Sequence, residues 1–152
     1  MLVKEVMSKE IAFCIPSDTV QAAARTMKAR TVGALPVVSD AANRKLEGIV
    51  TDRDLCCGVL AEAKLAETTG VAEVMTSNPV TCGPENTLDD CEKLMQLHQV
   101  RRLPVVDSQG CCVGMIAQAD VALHAPASKV AKTLAAISRA PRVAHGVRVA
   151  GA

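Results

Sequence analysis

At 152 residues the chain has room for one ordinary domain or two small units sharing a core. Phe13 is the single aromatic residue, so the core must be aliphatic, and base stacking on Trp or Tyr is unavailable, which argues against single-strand nucleic-acid binding. The formal net charge of +1 conceals a basic end, because Lys129, Lys132, Arg139, Arg142 and Arg148 follow Asp120 with no further acid.

Met1-Leu2-Val3-Lys4-Glu5 carries charge too early for a signal peptide, and no apolar run reaches the length of a membrane span. A cytoplasmic protein is expected. Val3 to Met7 reads as a short helix, followed by a strand near Ala12 to Ile15. Ser17-Asp18-Thr19 then caps a helix whose Val20, Ala23, Ala24 and Met27 share one face. Two strands come next, Leu35 to Val38 and Lys45 to Thr51, and a second helix begins at Asp52.

The same order then returns. Val71-Ala72-Glu73-Val74-Met75-Thr76 restates Val3-Lys4-Glu5-Val6-Met7-Ser8 at an offset of 68 residues, and Leu103-Pro104-Val105-Val106 restates Leu35-Pro36-Val37-Val38. A turn shorter by two residues pairs Gly48 with Gly114 and Asp54 with Asp120. The second copy therefore predicts a short helix at 71 to 75, a strand at Val80 to Cys82 and a helix capped by Thr87. Strands Leu103 to Val106 and Cys111 to Ala117 lead to a helix from Gln118. The expected class is α+β, two β-α-β-β-α units related by a pseudo-twofold axis and packed through their sheets. Residues 1–66 form the first repeat, 67–125 the second, and 126–152 a short helix over Ser128 to Ser138 with a disordered basic tail from Arg139.

Seven cysteines include no C-x-x-C pair, and Cys14, Cys82 and Cys91 fall at core positions, so reduced structural thiols are expected rather than a metal site. No H-E-x-x-H, G-x-S-x-G or P-loop pattern is present, and His98, His124 and His145 are scattered, which gives an enzyme no support.

Gly48-Ile49-Val50-Thr51-Asp52-Arg53-Asp54-Leu55 reads as a buried strand running into a helix. Thr51 and Asp54 point to one side there. They can meet a nucleotide's ribose and phosphate, or they can simply form a Thr-x-x-Asp capping box that needs no ligand.

The doubled unit, the Val-x-x-Val-Met opening, the Leu-Pro-Val-Val strand and this junction together resemble a tandem cystathionine β-synthase (CBS) domain pair of the free-standing bacterial type, also called a Bateman module. The resemblance covers residues 3 to about 124. It implies a non-catalytic sensor with two clefts for an adenosine-containing ligand, AMP, ADP, ATP or S-adenosylmethionine, with no obligatory cofactor. It also implies a homodimer, four units in a disc, that acts on an effector protein. A scaffold whose clefts stay empty is the alternative, with nucleic-acid binding a more distant one.

Carried over residue by residue, Thr51 and Asp54 match the family's ribose- and phosphate-binding pair, whereas the second copy keeps Asp120 but has Ala117 for the Thr. Residues before the Leu-Pro-Val-Val strand often face the phosphates held at the other copy. Here they are Arg101 and Arg102 against Gly33 and Ala34. One competent site is expected from Thr51, Asp54, Arg101 and Arg102, with Arg53 as a further phosphate contact and Ile49, Leu35, Met115 and Leu103 as apolar walls.

Overall fold

The computed structural model describes residues 1–139. The expected tail from Ala140 to Ala152, with Arg142 and Arg148, lies outside the described residues.

Thr19 accepts a hydrogen bond from the Ala22 N–H at 3.2 Å and starts α2 (Val20–Arg30), which buries Val20, Ala23 and Met27. Helix α2 stops at Thr31, whose left-handed backbone (φ 54°) turns the chain into β1 (Ala34–Val38). Strand β1 pairs antiparallel with β2 (Leu46–Thr51), and β2 runs directly into α3 (Asp52–Leu55), extended by a wide turn over Cys56–Leu60. The second repeat follows the same plan. Helix α4 (Leu88–His98), capped by Thr87, leads to β4 (Arg102–Val106), β5 (Cys112–Ala117) and α5 (Gln118–His124).

Strands expected near residues 12–15 and 80–82 are reduced to a single bridge each. Cys14 and Cys82 pair in parallel with Val37 and Val105, and each makes two backbone bonds of 2.9 to 3.1 Å. Pro16 and Pro84 come too soon after them for a longer ladder.

The two cores exchange their opening segments. Val3, on α1 (Val3–Val6), is fully buried in the second repeat's core with Cys82, Leu88, Met95, Leu103 and Ile116. Val71, on the single turn Val71–Glu73, is fully buried in the first with Cys14, Val20, Leu35 and Val50. The backbone repeats the exchange: Ser8 bridges Met115 of β5, and β3 (Thr76–Ser77) pairs with β2. The hairpin ends also meet, through Leu46 N–H to Gly110 O at 3.0 Å and Cys112 N–H to Arg44 O at 2.8 Å. Each unit is thus closed by chain from the other, which suits repeats too small to bury a core alone.

The closing helix runs from Ala127 to Ile137 as α6 and lies on α4. Its buried face carries Thr133 and Ile137, while Leu134 is 39% exposed. Among the described residues no helix is long and apolar enough to cross a membrane, and no three His, Cys, Asp or Glu side chains are grouped to hold a metal.

Candidate functional site

Exchange of the opening segments leaves two related clefts between the repeats. The first, about 300 Å³, lies between the β2–α3 junction of one repeat and the start of β4 in the other. Its wall brings together Ile49, Thr51 and Asp54 with Asn78, Val80 and Arg102. The second, about 270 Å³, has Met115, Ala117 and Asp120 in the matching places, faced by Ser8, Glu10 and Arg30. Both volumes stand at the lower edge of small-molecule sites, roughly 300–1,000 Å³.

In the first cleft Thr51 and Asp54 form the complete capping box. Asp54 Oδ2 accepts the Thr51 N–H and hydroxyl, both at 2.8 Å, while Thr51 Oγ1 accepts the Asp54 N–H at 3.1 Å. All of this engages one carboxylate oxygen. Asp54 Oδ1 has no partner among the described residues and belongs to a side chain that lines the cleft. Capping and ligand binding are therefore not rivals here, since the box fixes the carboxylate and leaves half of it available.

Thr87 and Asp90 make the same box at the start of α4, with Asp90 Oδ2 accepting the Thr87 hydroxyl at 2.6 Å and the Thr87 N–H at 3.2 Å. Those two bonds hold the Asp90 carboxyl below the usual carboxylate range. It is the cleft, not the motif, that sets Asp54 apart.

At the second junction Ala117 offers no hydroxyl, yet Asp120 Oδ2 still accepts the Ala117 N–H at 2.7 Å. Half of the box survives, so Asp120 keeps a local role at the helix start without the hydroxyl.

Arg102 stands in the wall of the first cleft with Asp54, and in the second with Asp120 and Met115. Arg101 lines neither. Arg101 lies one residue before β4, is exposed, and its carbonyl accepts the Gln118 N–H at 2.9 Å, while within a strand successive side chains point to opposite faces. The same alternation places Leu35 and Leu103, both fully buried, in the two cores and away from the clefts. Ala34 and Pro104 take the wall positions expected of them. Arg53, on the exposed side of α3, borders neither cleft.

Residues that the sequence reading missed come from the segments after the exchanged openings: Ser8, Glu10 and Ala12 in one cleft, Thr76, Asn78 and Val80 in the other. Their signal was present in the 68-residue offset, which superposes the two sets one on the other.

Two interlocked repeats, with a strand-to-helix carboxylate in each of the two clefts between them, define a tandem-repeat module. The CBS domain family matches residues 3–59 and 71–127, and the chain belongs to it. A CBS domain-containing protein of Bacillus subtilis, YhcV, is 40% identical over 122 residues, 80% of this chain and 84% of that one. Among solved structures, CBSX2 of Arabidopsis thaliana in complex with AMP is similar with a TM-score of 0.71 and 27% identity, covering 82% of this chain and 95% of that one. The CBS domain pair of MJ0100, in complex with 5′-methylthioadenosine and S-adenosyl-L-methionine, has a TM-score of 0.72 and 28% identity over 81% of this chain and 94% of that one.

Proposed function

We propose that this chain is a non-catalytic sensor that binds an adenosine-containing ligand, an adenine nucleotide first of all, in the cleft of Asp54. The observation that carries the reading is Asp54 itself: a carboxylate anchored through one oxygen, with the other unengaged, in a cleft that also holds Arg102. A free carboxylate oxygen accepts hydroxyls of a ribose, and the guanidinium meets phosphate oxygens through charge-assisted bonds. Thr51 has its hydroxyl committed to Asp54, so its part is to position the carboxylate. Ile49, Val80 and Val100 supply apolar surface for the base. Relatives solved with AMP and with adenosyl compounds support the ligand class.

In this reading the protein works as a cytoplasmic homodimer, and ligand changes the packing of its repeats so that an effector chain senses the change. AMP, ADP and ATP are candidate ligands and S-adenosylmethionine is the alternative. The experiment is thermal unfolding of the full chain with each of these four compounds. A ligand at about a hundredfold its Kd adds roughly 2.7 kcal/mol, a rise of several degrees for a chain of this size. If none of the four moves the transition, Thr51 and Asp54 are a capping box alone and the scaffold reading replaces the sensor.

A further inference from the structure

Arg102 borders both clefts, and so does Ala34, the residue in its place in the first repeat. A symmetric pair would carry a cation from each repeat; this chain supplies one from that position. Gly33 gives it room. A Cβ on Gly33 would lie 3.4 Å from a guanidinium nitrogen of Arg102 and 2.8 Å from an oxygen of Asp52, so the arginine reaches across the gap between the repeats.

The two clefts differ in the charge that remains. In the first, Asp54 shares the wall with Arg102, the one cation lining it among the described residues. In the second, Glu10 and Asp120 stand with Arg30 and Arg102. If Arg102 turns to the first cleft, the second is left with two carboxylates against Arg30, a poor seat for a phosphate and an acceptable one for an uncharged ribonucleoside.

Resting on the ligand reading above, we propose that the two clefts compete for the Arg102 guanidinium: a phosphate-bearing ligand in one weakens the binding of a second phosphate-bearing ligand in the other. The planar fork of an arginine engages one phosphate bidentately at a time. Because coupling between sites is reciprocal, whichever cleft fills first penalises the other by the same factor. A ligand without phosphate makes no demand on Arg102 and is exempt. The stable double occupancy is therefore mixed, a nucleotide in the first cleft and a nucleoside in the second, so the module reads the two ligands jointly.

Isothermal titration of the full chain with AMP and with adenosine, in wild type, Asp54→Ala, Arg102→Ala and Ala34→Arg, tests the competition. In the wild type the second AMP should bind on the order of tenfold or more weakly than the first, the scale of one charge-assisted phosphate contact. Adenosine should enter AMP-saturated protein as readily as it enters the second cleft of free protein. Asp54→Ala empties the first cleft and should raise the second cleft's affinity for AMP by the same factor. Arg102→Ala abolishes the antagonism by removing the shared group, and Ala34→Arg relieves it by giving each cleft its own. Two AMP molecules binding independently to the wild type would overturn the proposal. So would a second cleft whose AMP affinity is unchanged in Asp54→Ala. A wild type that takes up neither AMP nor adenosine contradicts the ligand reading itself, which is a different result.

Discussion

Gly48 sits where β2 passes beside β3, with so little space that an added Cβ would lie 2.8 Å from both the Thr76 carbonyl oxygen and the Met75 sulfur. The sulfur could swing away, but the carbonyl is backbone. Gly48→Ala must therefore push β3 outward, and Thr76 and Asn78 on that segment border the first cleft. Overpacking of this kind costs about 1–3 kcal/mol. Urea unfolding should show that loss for Gly48→Ala and much less for Gly83→Ala, whose Cβ would meet nothing nearer than 3.5 Å. Equal losses at the two positions would mean that the β2–β3 contact is not tight.

At this scale the sequence was legible wherever a residue's role is set by its immediate neighbours. Thr19, Thr51 and Thr87 all cap as their spacing implies. It was less legible where a side chain's face depends on strand phase. Leu35 and Leu103, expected as apolar walls, and Arg101, expected beside Arg102 at the phosphates, line neither cleft. One residue along a strand reverses the face, and Arg102, Ala34 and Pro104 are the residues in the cleft walls.

Among elements, the contact between α4 and α6 holds an unresolved charge. Glu92 is 4% exposed beneath α6, and its Oε1 finds no hydrogen-bond partner. Around it stand Asp89 and Lys93 on α4 with Lys129, Lys132 and Thr133 on α6. Gln96 donates to the Thr133 hydroxyl at 2.8 Å and Lys129 meets Asp89 at 2.6 Å, so both of these donors are directed at groups other than Glu92 Oε1. Burial first, and Asp89 second, raise the Glu92 carboxyl above its ordinary value of 4.5, while Lys129 and Thr133 oppose the shift.

The folded state accordingly binds the proton more tightly than the unfolded chain does. Stability contributed by the protonated form is complete below the ordinary glutamate range and falls as pH rises through the higher native value. Glu92→Gln, which keeps the shape and removes the charge, should melt higher than wild type at pH 7 and close to it at pH 4. An equal difference at both pH values would show that the carboxylate is not strained by burial.

The thiols belong to the same scale. Cys14 is pushed up to about 12 and Cys112 to about 11, in both cases chiefly by burial, which keeps them protonated and inert as core residues. Cys14, Cys82 and Cys91 are buried as their positions in the repeat suggested, and Cys112 joins them. Cys56 and Cys57 instead lie exposed on the turn after α3.

For the whole molecule, the order of elements and the pseudo-twofold relation were readable because the unit is written twice and each copy corroborates the other. The exchange of openings was not. Nothing in the local pattern of Val3 or Val71 states which repeat will bury it, since both cores present the same aliphatic surface; three-dimensional closure decides. That exchange also generates the clefts, because Ser8 to Ala12 and Thr76 to Val80 cross from one repeat to the other on their way back. One topological feature thus both closes the two cores and shapes the two clefts, and Arg102 borders both of them.

The two clefts carry distinguishable reporters, the Ile49 methyl groups in the first and the Met115 methyl in the second. Methyl NMR of protein labelled at isoleucine and methionine, titrated with AMP from well below equimolar, follows both at once. A nucleotide site built on Asp54 and Arg102 predicts that Ile49 shifts first and saturates at one equivalent, with Met115 responding later and more weakly. Met115 moving first, or both residues remaining still through a large excess of AMP, would contradict it.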